Sequence, residues 1–109
     1  MTTEISKITG LIGLAKRAGR IAVGYDAAVT AVKTRKAKCA VCASDLSPKT
    51  EKEWQYHTND YSLLHLPLDK ESLGNALGLS KPVGLLAVCD EGFAQAIQKI
   101  CSIDKEEMQ

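Results

Sequence analysis

Two apolar runs constrain this chain more than anything else in it: Cys39-Ala40-Val41-Cys42-Ala43 and the stretch from Val83 to Cys89. A strand with one face in water alternates apolar and polar residues. A run with no polar member marks a strand covered on both faces, which calls for a sheet with helices on either side. The segments between the runs supply them. Ile5, Ile8, Ile12 and Ala15 recur at helical spacing and predict a first helix from Thr3 to Ala18, ended by Gly19. Gly10 and Gly13 within it are expected to let the helix approach a neighbour closely. Their GLIG spelling lacks the basic flanks of an RNA-clamping GxxG loop, so packing is the preferred reading. Ile21-Ala22-Val23 is a short strand, Gly24 turns the chain, and Asp26 to Arg35 is helical with Ala28, Val29, Ala31 and Val32 inward.

The second half continues the alternation. Ser47-Pro48 is an N-cap followed by a first helical position, opening a helix through a half-buried Trp54 to His57 and broken by Asn59-Asp60. Leu63 to Leu66 is a third strand. Asp69 caps a fourth helix with Leu68 and Leu73 as a hydrophobic staple, and Gly78 closes it. After the strand from Val83 to Cys89, Asp90 caps a last helix with Phe93, Ile97, Ile100 and Cys101 on one face. The order predicts an α/β fold: a three-layer α-β-α sandwich with a four-stranded mixed, mainly parallel sheet. A chain of 109 residues holds one core. Residues 1–103 are expected to form that single domain, with Asp104 to Gln109 a frayed polar tail.

Composition narrows the setting. The apolar fraction of 45% is that of a soluble domain, and no apolar run nears the ~18 residues of a membrane span. Met-Thr-Thr-Glu lacks the features of a secretory signal, so a cytoplasmic protein is expected. Cys39, Cys42, Cys89 and Cys101 should be buried, reduced and metal-free. Residues three apart in a strand point to opposite faces, so Cys39 and Cys42 cannot act as a redox pair. Cys89 and Cys101 lack the knuckle turn of a zinc site. No cofactor is expected. His57 and His65 have no partners arranged for catalysis, and no phosphate-binding Gly motif or isolated carboxylate pair is present, so an enzyme is the weakest class.

Charge points elsewhere. The net charge of +1 conceals nine Lys/Arg against three Asp/Glu in residues 1–49, and five against ten in residues 50–109. The basic half surrounds the strand–Gly24–helix unit, with Lys16, Arg17 and Arg20 before it and Lys33, Arg35, Lys36 and Lys38 after it. A helix N-terminus carries unpaired N–H groups and partial positive charge, which suits phosphate. The natural partner is a polyanion.

LIGLAKRAGR at 11–20, the G-x-D-x-A turn at 24–28 leading into Ala31-Val32, KAKCAVCASDLSP at 36–48 and LGNALGLSKPVGLLAV at 73–88 together resemble the ribosomal protein 7Ae/30e superfamily. The nearest likeness is to its small bacterial, ribosome-associated members, and it spans nearly the whole chain. The resemblance implies binding of structured RNA, often a kink-turn; a non-catalytic, monomeric protein of the translation machinery that binds ribosomal RNA or a kink-turn is expected. Three loops would do so: the Gly24 turn, the Ala43-Ser44-Asp45 turn and the Leu79-Ser80-Lys81-Pro82 link. Together with the basic residues, this gives an expected RNA-facing set of Lys16, Arg17, Arg20, Gly24, Tyr25, Asp26, Ala27, Thr30, Lys33, Ser44, Asp45 and Lys81.

The family's kink-turn binders carry G-x-N-E-x-x-K where this chain reads Gly24-Tyr25-Asp26-Ala27-Ala28-Val29-Thr30. Asn both donates and accepts at a purine edge, whereas ionised Asp26 only accepts and repels phosphate. That counts against tight kink-turn binding and leaves general RNA binding as the expectation. A protein-interaction module on the ribosome is the alternative. Two readings stay open for Asp26, base contact or a carboxylate favoured by the helix dipole. Two also stay open for Tyr25, stacking on an unpaired base or covering the sheet edge. For Lys16, Arg17 and Arg20 phosphate contact is preferred to a solvated face. Lys33, Arg35, Lys36 and Lys38 are weaker, since they also complement a helix C-terminus.

Overall fold

The computed structural model describes residues 2–107, and the side chains of residues 5–101. Its elements are α1 (Thr2–Arg17), β1 (Ile21–Val23), α2 (Tyr25–Lys33), β2 (Cys39–Cys42), α3 (Pro48–His57), β3 (Leu64–His65), α4 (Lys70–Ala76), β4 (Leu85–Val88) and α5 (Glu91–Glu107). The alternation is as expected. The caps are too: Ser47 accepts from the Thr50 N–H at 3.2 Å, Asp69 from Ser72 at 2.8 Å and Asp90 from Phe93 at 3.0 Å. α5 continues through 104–107, where a frayed tail was expected; 108–109 lie outside the described residues.

Every residue of β2 and β4 is buried, and the pleat sends alternate side chains into two cores. Cys39, Val41, Leu86 and Val88 pack with Ile8 and Ile12 of α1, Leu73 of α4 and Ile97 of α5. Ala40, Cys42, Leu85 and Ala87 pack with Ala28 and Ala31 of α2 and Trp54 of α3. The result is the three-layer sandwich, with α1, α4 and α5 on one face and α2 and α3 on the other. Trp54 is fully buried, where half-burial was expected, because its indole N–H finds the Tyr61 carbonyl at 2.8 Å and needs no water.

The strand order is β1-β4-β2-β3. β2 and β3 are parallel, while β4 runs against both β1 and β2. The sheet is mixed as expected, but "mainly parallel" holds only for strand direction: β1, β2 and β3 point one way, yet two of the three ladders are antiparallel. The cause is the route into β4. α4 has seven residues, about 10 Å of helix, and the link after it climbs back to the edge where β3 ended.

Close contact fixes that return. A Cβ on Gly74 would lie 2.0 Å from the Lys81 carbonyl oxygen, so α4 meets the link backbone to backbone. The Val83 N–H then donates to the Lys70 carbonyl at 3.0 Å. Gly13 also marks an approach, its Cβ position 3.4 Å from the Ala76 carbonyl oxygen, but Gly10 faces open space and has no such role. The two helical glycines should therefore respond oppositely. In urea unfolding, Gly74→Ala is expected to cost at least ~2 kcal/mol by overpacking, whereas Gly10→Ala should be neutral or stabilise by up to ~1 kcal/mol through helix propensity.

Candidate nucleic-acid interface

With β1, β2 and β3 pointing one way and β4 the other, one edge of the sheet collects the β1–α2 turn, the β2–α3 turn, the β3–α4 turn and the α4–β4 link. All three loops singled out in the sequence lie on it. Two of them are tied to the start of β4 and to the β3–α4 turn: the Gly24 N–H donates to the Leu85 carbonyl at 3.0 Å, Ala43 to Gly84 at 2.8 Å and Ser44 to Leu68 at 2.8 Å. Asp45 spans two of the turns, its carboxylate accepting from the Lys70 N–H at 2.9 Å. Its side chain is thus a tether as well as a surface group.

Three helices, α2, α3 and α4, begin at this edge. Ser47 caps α3, and Asp45 and Asp69 accept from the first turn of α4. α2 differs, because its N-cap Gly24 has φ 93° and no side-chain cap bond. The N–H groups of its first turn are left to solvent or to a ligand. Asp26 and Ala27 on that turn are exposed, as are Thr30 one turn along, Ser44, Asp45 and Lys81. The sequence marked all three helix starts, at Gly24, Ser47 and Asp69, but read only the first as a phosphate site and did not bring the three to one edge. The signal was present, since parallel strands followed by helices deliver their N-termini to a common edge.

The expected cations do not all join this set. Arg20 and Gly24 lie at opposite ends of β1, roughly 13 Å apart along an extended chain. Lys33 ends α2, away from Gly24. Arg20 therefore lies at the opposite edge, contrary to its expected place beside the α2 N-terminus, and so does Lys33, at the helix C-terminus that its alternative reading gave it. Lys16 and Arg17 end α1 one turn before Arg20 and share a shallow cleft with Asn75 and Gly78 where the α4–β4 link begins.

Tyr25 packs inward. Its ring is edge-on to Trp54 at 6.2 Å and to His57 at 6.3 Å, and its hydroxyl is enclosed without a hydrogen-bond partner. Burial raises its pKa, with the carboxylates of Glu53 and Asp26 adding to the effect. This is the arrangement of the sheet-covering reading. His65, on the edge strand, is exposed and lies 3.3 Å from the Glu51 carboxylate.

Cys39 and Cys42 fall in the two different cores, as strand geometry requires. Cys89 is only partly buried and so is Cys101, where full burial was expected. Among the described residues no three His, Cys, Asp or Glu side chains gather as a metal site would need.

The chain belongs to the ribosomal protein L7Ae/L30e/S12e/Gadd45 family, whose model matches residues 6–98. It is 29% identical over 94 residues to the RNA-binding protein YlxQ of Enterococcus faecium, covering 86% of this chain and 90% of that one. It is 30% identical over 88 residues to the RNA-binding protein YlxQ of Bacillus subtilis (strain 168), covering 80% and 87%. Among solved structures, a protein of unknown function from Bacillus halodurans C superposes with TM-score 0.76 at 25% identity, over 86% of this chain and 95% of that one. A Giardia lamblia 15.5kD RNA binding protein shares the fold with TM-score 0.67 at 18% identity, over 90% and 84%.

Burial pushes the Cys39 thiol up to about 11 and Cys42 to about 12, from an ordinary 9.0. The fold therefore keeps both protonated while the unfolded chain ionises above about pH 9. Their contribution to stability is complete below pH 9 and is lost as the pH rises through 11 and 12. Urea midpoints measured from pH 8 to 11 should fall for the native protein and fall less steeply for Cys42→Ala. An identical slope in the two would contradict the assignment.

Proposed function

We propose that this protein binds structured RNA, ribosomal RNA foremost, without catalysing a reaction, as a cytoplasmic monomer associated with the ribosome. The contact surface is the loop edge: the Gly24 turn with Asp26, Ala27 and Thr30 behind it, Ser44 and Asp45, and Lys81, with Tyr25 packed inward beneath them. Lys16 and Arg17 add phosphate contacts from the α1–α4 flank. The observation that carries this reading is the uncapped N-terminus of α2 at the edge where three loops gather, with the Gly24 and Ala43–Ser44 turns held by backbone hydrogen bonds to the start of β4 and the β3–α4 turn. Such a site presents N–H groups and positive potential to phosphate at no cost in rearrangement. The RNA-binding names of the bacterial relatives support it.

Kink-turn recognition is the finer question. Asp26 offers only acceptors and a negative charge, and Ala27 and Thr30 are too short to reach far from the helix. We read the edge as holding a folded RNA mainly by its backbone, with Asp26 able to accept from guanine N–H groups. Asp26→Asn should then tighten binding to a kink-turn RNA relative to a plain duplex, with stability changed by no more than ~1 kcal/mol.

The test is salt-dependent binding to purified ribosomal RNA. Arg17→Ala with Lys81→Ala should weaken it and flatten the slope of log K against log salt by up to about 1.8, since each phosphate contact contributes roughly 0.7–0.9. No salt-sensitive binding by the native protein, or an unchanged slope in the double variant, would sink the reading. A ribosomal protein captured by the same edge would then replace RNA as its partner.

A further inference from the structure

The edge opposite the loops is the most basic part of the molecule. Lys33, Arg35, Lys36 and Lys38 fall within six residues between α2 and β2, all exposed, with no acidic residue between Asp26 and Asp45. Arg20 joins them across the sheet. Ile21 and Cys39 both pair with Val88, so Arg20 and Lys38 stand on either side of the end of β4, two strand spacings or about 10 Å apart. Their backbones are fixed there: the Cys89 N–H donates to the Arg20 carbonyl and the Lys38 N–H to the Val88 carbonyl, each at 2.7 Å. Among the described residues none of these five cations is paired with a carboxylate. Of the acids at this edge, Asp90 accepts from the Phe93 N–H, Glu91 accepts from Gln95, and Asp60 is in the α3–β3 turn.

A second observation separates this cluster from an ordinary solvated face. α1, α3 and α4 each pass into a left-handed residue suited to it: Gly19 (φ 72°), Asn59 (φ 57°) and Gly78 (φ 76°). α2 makes the same turn, with the Arg35 N–H donating to the Val32 carbonyl and Lys36 to Ala31, but places Arg35 in it at φ 62°. A long side chain is unfavourable in that conformation, where glycine is free. The chain thus keeps a cation where α1, α3 and α4 use a residue that relaxes the turn. The same segment has little with which to read bases, since the Thr34 hydroxyl donates to the Thr30 carbonyl.

We propose that Arg20, Lys33, Arg35, Lys36 and Lys38 form a second RNA-contact surface, independent of sequence, that holds the phosphate backbone of an RNA helix on the side of the molecule away from the Gly24 loops. This inference rests on the RNA-binding reading above. One molecule would then touch two segments of a folded RNA, the length of the strands apart.

The experiment uses the full chain and a short blunt RNA duplex, followed by fluorescence anisotropy from about 0.05 to 0.2 M KCl. The variant Arg35→Gly/Lys36→Ala/Lys38→Ala is compared with a charge-matched control, Lys7→Ala/Lys52→Ala/Lys99→Ala, which removes exposed cations elsewhere. The basic-edge variant should bind the duplex more than about tenfold more weakly at 0.1 M and lower the salt slope by about 2–3, while the control stays within about threefold of wild type. Arg35→Gly alone should melt no lower than wild type, because the turn then holds the residue it favours. Equal losses in both triple variants would reduce the effect to net charge and overturn the proposal. So would displacement of the duplex by poly-L-glutamate at matched charge, which would assign the edge to an acidic protein. If wild type binds ribosomal RNA but the basic-edge variant binds the duplex like wild type, this inference alone fails. If wild type binds neither, the reading of the loop edge fails with it.

Discussion

The rest of the structure depends on the ladder between β2 and β4. Eight residues, none polar and all buried, pair antiparallel at the centre of the sheet. Because neither strand has a wet face, the sheet must be covered twice, and five helices in two layers are the consequence. The burial is not uniform in kind. One side is filled by large aliphatic residues such as Ile8, Ile12, Leu73 and Ile97. On the other, Ala28 and Ala31 of α2 share a core with Ala40, Cys42, Leu85 and Ala87 of the sheet and with Trp54 of α3. Small residues let α2 sit close to the strands, which sets the height at which its uncapped N-terminus emerges.

The direction of β4 also decides where chemistry can happen. Since β4 runs against its neighbours, its start lies beside the ends of β1 and β2, and the link carrying Lys81 comes to the same edge as Gly24 and Asp45. Had β4 been parallel, Lys81 would face the other way. Gly74 makes this return possible by removing the side chain that would collide with the link. A packing residue on α4 thus positions a candidate contact residue seven positions later, although it touches no ligand itself.

Much of the fold was legible in the sequence because each signal was local. Ser47, Asp69 and Asp90 act as caps, the runs at Cys39 and Val83 mark doubly covered strands, and Cys39 and Cys42 do face opposite cores. What escaped was non-local. Ladder direction depends on how far a short helix and its link carry the chain, and a pattern of apolar residues looks the same whichever way the strand runs. Trp54 escaped because the partner of its indole, the Tyr61 carbonyl, lies beyond the break that ends its helix. The three loops named from the family likeness gather at one edge, but Arg20 and Lys33, grouped with them in the expected RNA-facing set, do not join it. Three residues of β1 and nine of α2 place them at the far edge of the sheet. Tyr25 could not be read in advance, since an aromatic beside a turn has no sequence mark that separates a stacking platform from a buried ring.

The central claim is that the loop edge holds RNA. Ultraviolet crosslinking of the full chain to purified ribosomal RNA, followed by mass spectrometry of the crosslinked peptides, tests it most directly. The account predicts adducts within residues 24–30, 44–47 and 79–82. Adducts confined to the outer faces of α1 and α5, or none above those of an unrelated protein of similar charge, would contradict it.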